Sequence, residues 1–462
     1  MQYEMALHPM DMKLYRDKFS TPAMREIWSE ESIIQARLEV EATLAEVQAE
    51  LGMIPKEAAV EIRKKATLEY VTPERYAELY AYKGHDIVAL VWALNEVCEG
   101  GLGEYVHWRS TTQDILWTST ATLYKKTVQV LLNDLRELEE VMLGLMEKHK
   151  FTIMAGRTHG QHCPPITFGW YIGVIAYAIR RHIERLKECS KRLLVGKITS
   201  AVGTGSSYGP PELALKLQEK VCEKLGLGVP PITESEIVRD RVAEFVNVCS
   251  LIATTLEKLA RDIWTLQRPE IAELEEPFRT GEQVGSSTLA HKRNPFGCEW
   301  VQGVAKLIRA NAYPINELFV FDVRDGVRLA VEYVGVPSCA MMTSAIIQSM
   351  KKILSGLTVR PENMRRNMYV QKGLFMDEPV MLALAEKIGR QSAHDLIYDI
   401  TMKAFAEDKS LKEALMENET VMKYLTEEQI DELIDPEKYL GTIPHQVEAT
   451  LEAIRSAREK DF

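Results

Sequence analysis

The chain has 462 residues, 46% of them hydrophobic and 27% charged, with a formal net charge of -11. This is the composition of a globular protein with ample apolar surface, organised as one large core with appendages or as two to four domains. Acidic and basic residues are interspersed, which argues against nucleic acid or an anionic membrane as the main partner and leaves room for a small anionic ligand. Seven cysteines stand singly at 98, 163, 189, 222, 249, 298 and 339, without a CxxC pair. They are expected as reduced thiols of a cytoplasmic protein.

In chain order, the opening MQYEMALHPMDMKLYRDK lacks the apolar run of a secretion signal. Residues 1–112 contain short helices broken at Gly52-Met53-Ile54-Pro55 and Gly100-Gly101-Leu102-Gly103, and are expected to form a small N-terminal helical domain. HWRSTTQD (107–114) sets hydroxyls and a carboxylate where a long helix begins, a pattern suited to satisfying free amides at a helix N-terminus. From Gln113 to Phe151 there is no proline, and Val128, Leu131, Leu135, Leu138, Met142 and Leu145 step by three and four. Such a stripe predicts a long helix in a bundle.

GRTHGQHCPPITFG (156–169) crowds Arg157, Thr158, His159, Gln161 and His162 between glycines and a double proline. No helper carboxylate or cysteine pattern accompanies the two histidines, so no metal is expected. The most apolar run, ITFGWYIGVIAYAI (166–179), falls short of the ~20 residues needed to span a bilayer and reads as a buried helix. A second proline-free run extends from Thr167 to about Ser206. Its end, GKITSAVGTGSSYGP (196–210), is a turn or a flexible loop, without the spacing of a phosphate-binding P-loop.

After Pro230-Pro231, Thr233-x-x-Glu236 predicts a capping box opening a third helix, to about Arg268. GSSTLAHKRNPFGCE (285–299) offers hydroxyls, an ammonium and an amide behind a glycine. It suits either a surface loop or a mobile loop that closes on a carboxylate-rich ligand. A fourth helix follows Pro295, interrupted at Pro314, and a fifth covers 338–357. No alternation is long enough for a substantial sheet. The fold class is all-α, with a helical domain at 1–112, a central long-helix bundle at 113–360 carrying the loop 281–297, and a C-terminal helical domain at 361–462.

Taken together, the polar islands resemble the three signature regions of the fumarase/aspartase superfamily of lyases. The family's loop pattern GSSxMPxKxNP appears as GSSTLAHKRNP. REIWSEESIIQARLEVEATLAEVQAELGMIP (25–55), GHDIVAL (84–90) and EIAELEEPFRTGEQVGSS (270–287) look like adenylosuccinate lyases. The resemblance implies an all-α, three-domain subunit in a homotetramer, whose central helices form one shared bundle and whose active sites are built from several subunits. It implies an anti β-elimination that releases fumarate, with no cofactor and no metal. The partners it implies are a small dicarboxylate substrate and other copies of the chain, with no nucleic acid and no membrane.

Residue by residue, Ser286 matches the base that removes the β-carbon proton, with Ser287 beside it. His159 matches the acid that protonates the leaving nitrogen, and Glu299 the carboxylate that orients that histidine. Lys292 and Asn294 match carboxylate binders. Thr111 and Thr112 match the hydroxyls that hold the substrate carboxylate, and His85 and His107 match two further active-site histidines. Thr158 and Gln161 are expected in the same pocket.

Three departures bear on the substrate. Leu289-Ala290 stands where the loop usually has Met-Pro. In VRDGVRLAVEYVGVP (323–337), Arg324 keeps its substrate-binding place and Asp325, Glu332 and Pro337 keep theirs, but Leu329 and Ala330 replace paired serines and Tyr333 replaces an arginine that grip the nucleotide phosphate. An N-terminal Arg-Tyr pair appears as Lys18-Phe19. Each lost charged hydrogen bond is worth about 1.5–3 kcal/mol, which favours a leaving half smaller or less phosphorylated than AMP, unless Arg328 substitutes. An aromatic at 333 also resembles carboxymuconate cycloisomerases, an isomerase branch that forms the alternative reading. Those enzymes carry tryptophan at the place of His159, so the His159–Glu299 pair favours a carbon–nitrogen lyase.

Overall fold

The computed structural model describes residues 8–318 and 326–461. Five helices dominate: Thr112–Lys148, Phe168–Leu193, Asp240–Leu266, Phe296–Asn316 and Val327–Ser355. The first has 37 residues, a rod of about 55 Å at 1.5 Å per residue. Val128, Leu131, Leu135, Leu138 and Met142 are all buried, as the stripe required. Two two-stranded antiparallel sheets, Ile153–Thr158 with Gln161–Thr167 and Leu274–Glu275 with Thr358–Val359, complete the described elements beside shorter helices. The fold is all-α.

Two compact units divide the chain. One comprises Met1–Arg136, His182–Leu256 and Gly303–Gln348, and the other Glu137–Arg181, Glu257–Gln302 and Ser349–Phe462. The first is organised around the Glu30–Glu50 helix, whose N-terminus Ser29 caps by accepting from Ser32 N at 3.1 Å. Leu38, Val40 and Leu44 of this helix pack with Ile62, Ile87, Leu90 and Leu217, all essentially without exposed surface. The second unit has its own core, in which Met368, Val380, Leu384 and Leu415 meet Ile153 and Ala155 of the hairpin. Truncating any of these leucines to alanine removes a transfer term and leaves a cavity, together about 2–5 kcal/mol.

Three sequence expectations change. The helix expected from Thr233 begins at Asp240, because Glu236 turns away from a capping role to pair with Arg328 and Arg239. The helix expected from 338 begins at Val327 and carries Pro337 inside it. The helix length most compatible with a bilayer is that same Val327–Ser355 segment, and 56% of its most apolar window is buried in protein, as befits a core helix. The seven cysteines are all unpaired and five are buried.

Candidate active site

In the first unit, the site is organised by a carboxylate that the Thr112–Lys148 helix carries in its first turn, where the helix dipole favours an anion. Asp114 is fully buried. Its Oδ1 accepts from Lys197 Nζ at 2.6 Å and Thr199 N at 3.0 Å. Its Oδ2 accepts from Tyr208 OH at 2.8 Å, Ser200 N and Thr111 N at 3.2 Å, and Ser110 Oγ at 3.3 Å. Lys197, equally buried, also donates to the Ser200 carbonyl at 3.2 Å. One carboxylate thus joins HWRSTTQD to GKITSAVGTGSSYGP and fixes the backbone at Thr111. Burial and the neighbouring Asp114 push the Tyr208 hydroxyl well above its ordinary range, so it remains a donor.

The same two loops hold strained backbone. His107, Arg109 and Ser200 have φ of 58°, 60° and 62°, the left-handed region that costs a non-glycine residue stability unless its surroundings impose it. Here Gln48 Nε2 donates to the Trp108 carbonyl at 2.7 Å, Ser207 Oγ donates to the Arg109 carbonyl at 2.6 Å, and Asp114 holds Ser200. His107 Nδ1 lies 2.7 Å from Oε1 of the buried Glu41. Burial by itself would lower the His107 pKa, but Glu41 outweighs it and holds the ring above its usual value. His85 caps the Asp86–Val97 helix through Nδ1, 3.3 Å from Val88 N, and its Nε2 faces Thr112 Oγ1 at 3.5 Å. His85 and Thr112 therefore stand together, beside a cavity of about 620 Å³.

In the second unit, the crowded GRTHGQHCPP segment is a hairpin. His159 and Gly160 form its two-residue turn with φ of 52° and 77°, the arrangement whose twist matches paired strands. Thr158 and Gln161 face each other across the turn, so His159 stands exposed at the tip. A bulge falls at Gly156, where a β-carbon would meet the Pro164 carbonyl at 2.4 Å. Arg157 anchors the hairpin to the fully buried Glu273, with Nη1 donating to Oε2 at 3.1 Å, and Asn367 Nδ2 donates to the same carboxylate at 3.0 Å. Burial, aided by Arg157, lowers the His162 pKa. No cluster of three His, Cys, Asp or Glu side chains among the described residues could hold a metal ion.

The loop of the second unit curls back on itself. Gly285 lies so near Lys292 that a β-carbon there would sit 2.0 Å from the Lys292 carbonyl, and Asn294 Nδ2 donates to the Gly285 carbonyl at 2.8 Å. Within this curl Ser286 Oγ accepts from Leu289 N at 3.1 Å and Thr288 N at 3.3 Å. Two amide donors favour negative charge on that oxygen. Ser287 and Lys292 are exposed. The base of the loop is tied down twice. Glu275 pairs with Arg293 at 2.8 Å and with Arg360, and these partners outweigh burial to hold its carboxyl below the usual range. Glu276 accepts from Gly297 N at 2.8 Å and Cys298 N at 2.9 Å, satisfying the start of the Phe296–Asn316 helix.

Within each unit the geometry assembles some expected residues and leaves others apart. Glu299 accepts from Trp264 Nε1 at 3.1 Å, and no hydrogen bond joins His159 to any described residue. Arg324 lies outside the described residues. Sequence reasoning passed over Asp114, Lys197 and Glu41. Asp114 stood inside a quoted island, where it read as a helix cap. Lys197 was a lone cation in a glycine-rich stretch, and Glu41 has no local signal.

Comparison with known proteins places the chain among lyases. A family model described as Lyase matches residues 16–309, and one described as Adenylosuccinate lyase C-terminus matches 373–450. The chain is 42% identical over 457 residues to an adenylosuccinate lyase of Methanocaldococcus jannaschii, covering 98% of this chain and 97% of that protein. It is 35% identical over 448 residues to an N-acetyl-S-(2-succino)cysteine lyase of Dickeya dadantii, covering 97% and 98%. The crystal structure of a 3-carboxy-cis,cis-muconate lactonizing enzyme from Pseudomonas putida superposes with a TM-score of 0.89 at 31% identity, over 96% of this chain and 99% of that one.

Proposed function

The chain belongs to the fumarase/aspartase superfamily of lyases, and from that premise we propose that it is a carbon–nitrogen lyase eliminating fumarate from an N-substituted aspartate. The reading rests on the Ser286 oxygen, which already accepts two backbone N–H groups. A free serine is a very poor base, and the alkoxide it needs to become is stabilised by such donors. Ser286 Oγ takes the proton from the β-carbon, and the electron pair passes into the adjacent carboxylate as a dianionic aci-acid. Lys292, Asn294, Thr111, Thr112 and Ser287 supply positive charge and hydrogen bonds to the carboxylates. As the carbon–nitrogen bond breaks, its electrons go to nitrogen, which receives a proton from His159, and the double bond of fumarate forms.

His85, His107, Thr158, Gln161 and Arg324 hold the remainder of the substrate in this scheme, and Glu299 orients His159. His159 and Glu299 are both exposed. Their pairing is therefore assigned to a site completed by other copies of the chain, in a cytoplasmic homotetramer. The three consecutive segments 1–112, 113–360 and 361–462 are read as its domains. Proton NMR of fumarate release from N-succinyl amines tests the reaction. Release should depend on Ser286, and release that survives Ser286→Ala sinks the assignment.

A second reading, a sulfur leaving atom, is favoured by the identity to the Dickeya dadantii enzyme. A thiolate leaves without needing a proton. Under this reading His159→Gln spares activity on S-succinyl compounds and abolishes it on N-succinyl ones.

A further inference from the structure

The cavity beside His85 and Thr112 is lined by residues of the first unit. Its volume, about 620 Å³, is that of a pocket for a small organic ligand. Among the described residues two guanidinium groups line it, and both are engaged. Arg37 donates to Tyr76 OH at 2.6 Å and lies 3.6 Å from Asp86. Arg328 Nη2 donates to Glu236 Oε1 at 2.5 Å, and its Nη1 lies 3.9 Å from Glu332. Arg239 completes the group, 3.1 Å from Glu236 and paired with Glu332. Arg239, Arg328, Glu236 and Glu332 are thus a closed quartet of zero net charge, with no side chain more than 13% exposed.

The lining charges decide what this pocket accepts. Among the described residues of this chain that line it, Arg37 and Arg328 stand with three carboxylates, Glu30, Asp86 and Glu236, a formal charge of two minus three, or -1. A phosphomonoester carries about -1.5 to -2 at neutral pH. To recruit Arg328 it would have to strip Glu236 of a partner, and a carboxylate whose side chain is only 13% exposed tolerates that poorly. Tyr333, by contrast, is 52% exposed and presents its ring beside the cavity.

We infer that this cavity receives an unphosphorylated leaving group, neutral or singly cationic, that packs against Tyr333. The inference rests on the lyase reading, because it takes His85 and Thr112 as neighbours of the succinyl half. AMP and adenosine differ only by the phosphate, and their affinities for the full-length protein are read by calorimetry. The wild type should bind AMP no more tightly than adenosine, and inorganic phosphate not at all. Glu236→Gln, which releases Arg328, should raise the AMP-to-adenosine affinity ratio at least tenfold. Tyr333→Arg should do the same by adding a cation.

A wild type that binds AMP tenfold more tightly than adenosine overturns the inference, as does failure of both variants to raise the ratio. The two readings separate cleanly. A preference for AMP with Ser286-dependent fumarate release intact sinks only the inference. Fumarate release that is independent of Ser286, with the charge preference as described, sinks only the lyase roles.

Discussion

The Asp114 cluster and the Ser286 loop are both built from polar residues, yet they solve opposite problems. Around Asp114 six donors converge on one buried carboxylate, and three strained residues sit in the flanking loops. Around Ser286 the side chains are exposed or half-buried, and firm attachments occur only at the base, through Glu275 and Glu276. The first arrangement is preorganised: its hydrogen bonds are made before any ligand arrives. The second leaves Ser287 and Lys292 exposed to a ligand and is held at its base. A preorganised polar cluster fixes backbone, whereas an exposed loop presents groups that a ligand can meet.

Substitutions tell the two regions apart. Ser286→Ala should cost up to about 10⁴-fold in fumarate release, the upper range for a general base, with an unchanged melting temperature. A large fall in melting temperature would show that the loop is a structural element like the Asp114 cluster. Asp114→Ala leaves Lys197 buried without its carboxylate and should destabilise the fold by about 3–5 kcal/mol in denaturant unfolding. An effect below 1 kcal/mol would mean that water replaces the carboxylate and that the cluster is not preorganised.

Milder substitutions should have local effects. Glu276→Ala removes the acceptor for two amides at a helix start and should cost about 0.5–2 kcal/mol, with faster hydrogen exchange confined to 285–298. Exchange that also quickens at Thr199 and Ser200 would contradict a local role. The finest test is the His107 titration. Its folded pKa is raised, so its stabilisation is complete below the ordinary value near 6.5 and is lost as pH rises through the higher folded value. The stability difference between wild type and His107→Gln should therefore be greatest in mild acid and shrink as pH rises. The ring's NMR titration should fall in Glu41→Gln, where burial is opposed only by the charge of Asp114.

Much of this was readable in the chain. The stripe from Val128 to Met142 marked the longest helix, because burial on one face of a helix leaves a period that survives any tertiary detail. The hairpin at His159-Gly160 was legible in principle, since a glycine beside a residue tolerant of left-handed backbone marks a two-residue turn, but the double proline masked the strands. The Thr233 capping box failed for a different reason. Glu236 matched the local pattern, and two arginines, one of them 92 positions away, offered it a stronger partner. The Asp114 cluster was illegible on the same ground, because four of its six donors lie more than 80 residues further along the chain. The family resemblance named Ser286, His159 and Lys292, yet it was silent on what holds their backbone.

The double fastening of the 276–298 stretch has a consequence for engineering. Glu275 and Glu276 on one side, with Arg293 and the amides of Gly297 and Cys298 on the other, make a frame whose two ends are fixed independently of what lies between them. Residues 279–284, which precede Gly285 and the reacting serine, can accordingly be treated as a replaceable cassette. Libraries that vary its length and sequence, while keeping the frame, would sample new chemistries on an unchanged scaffold.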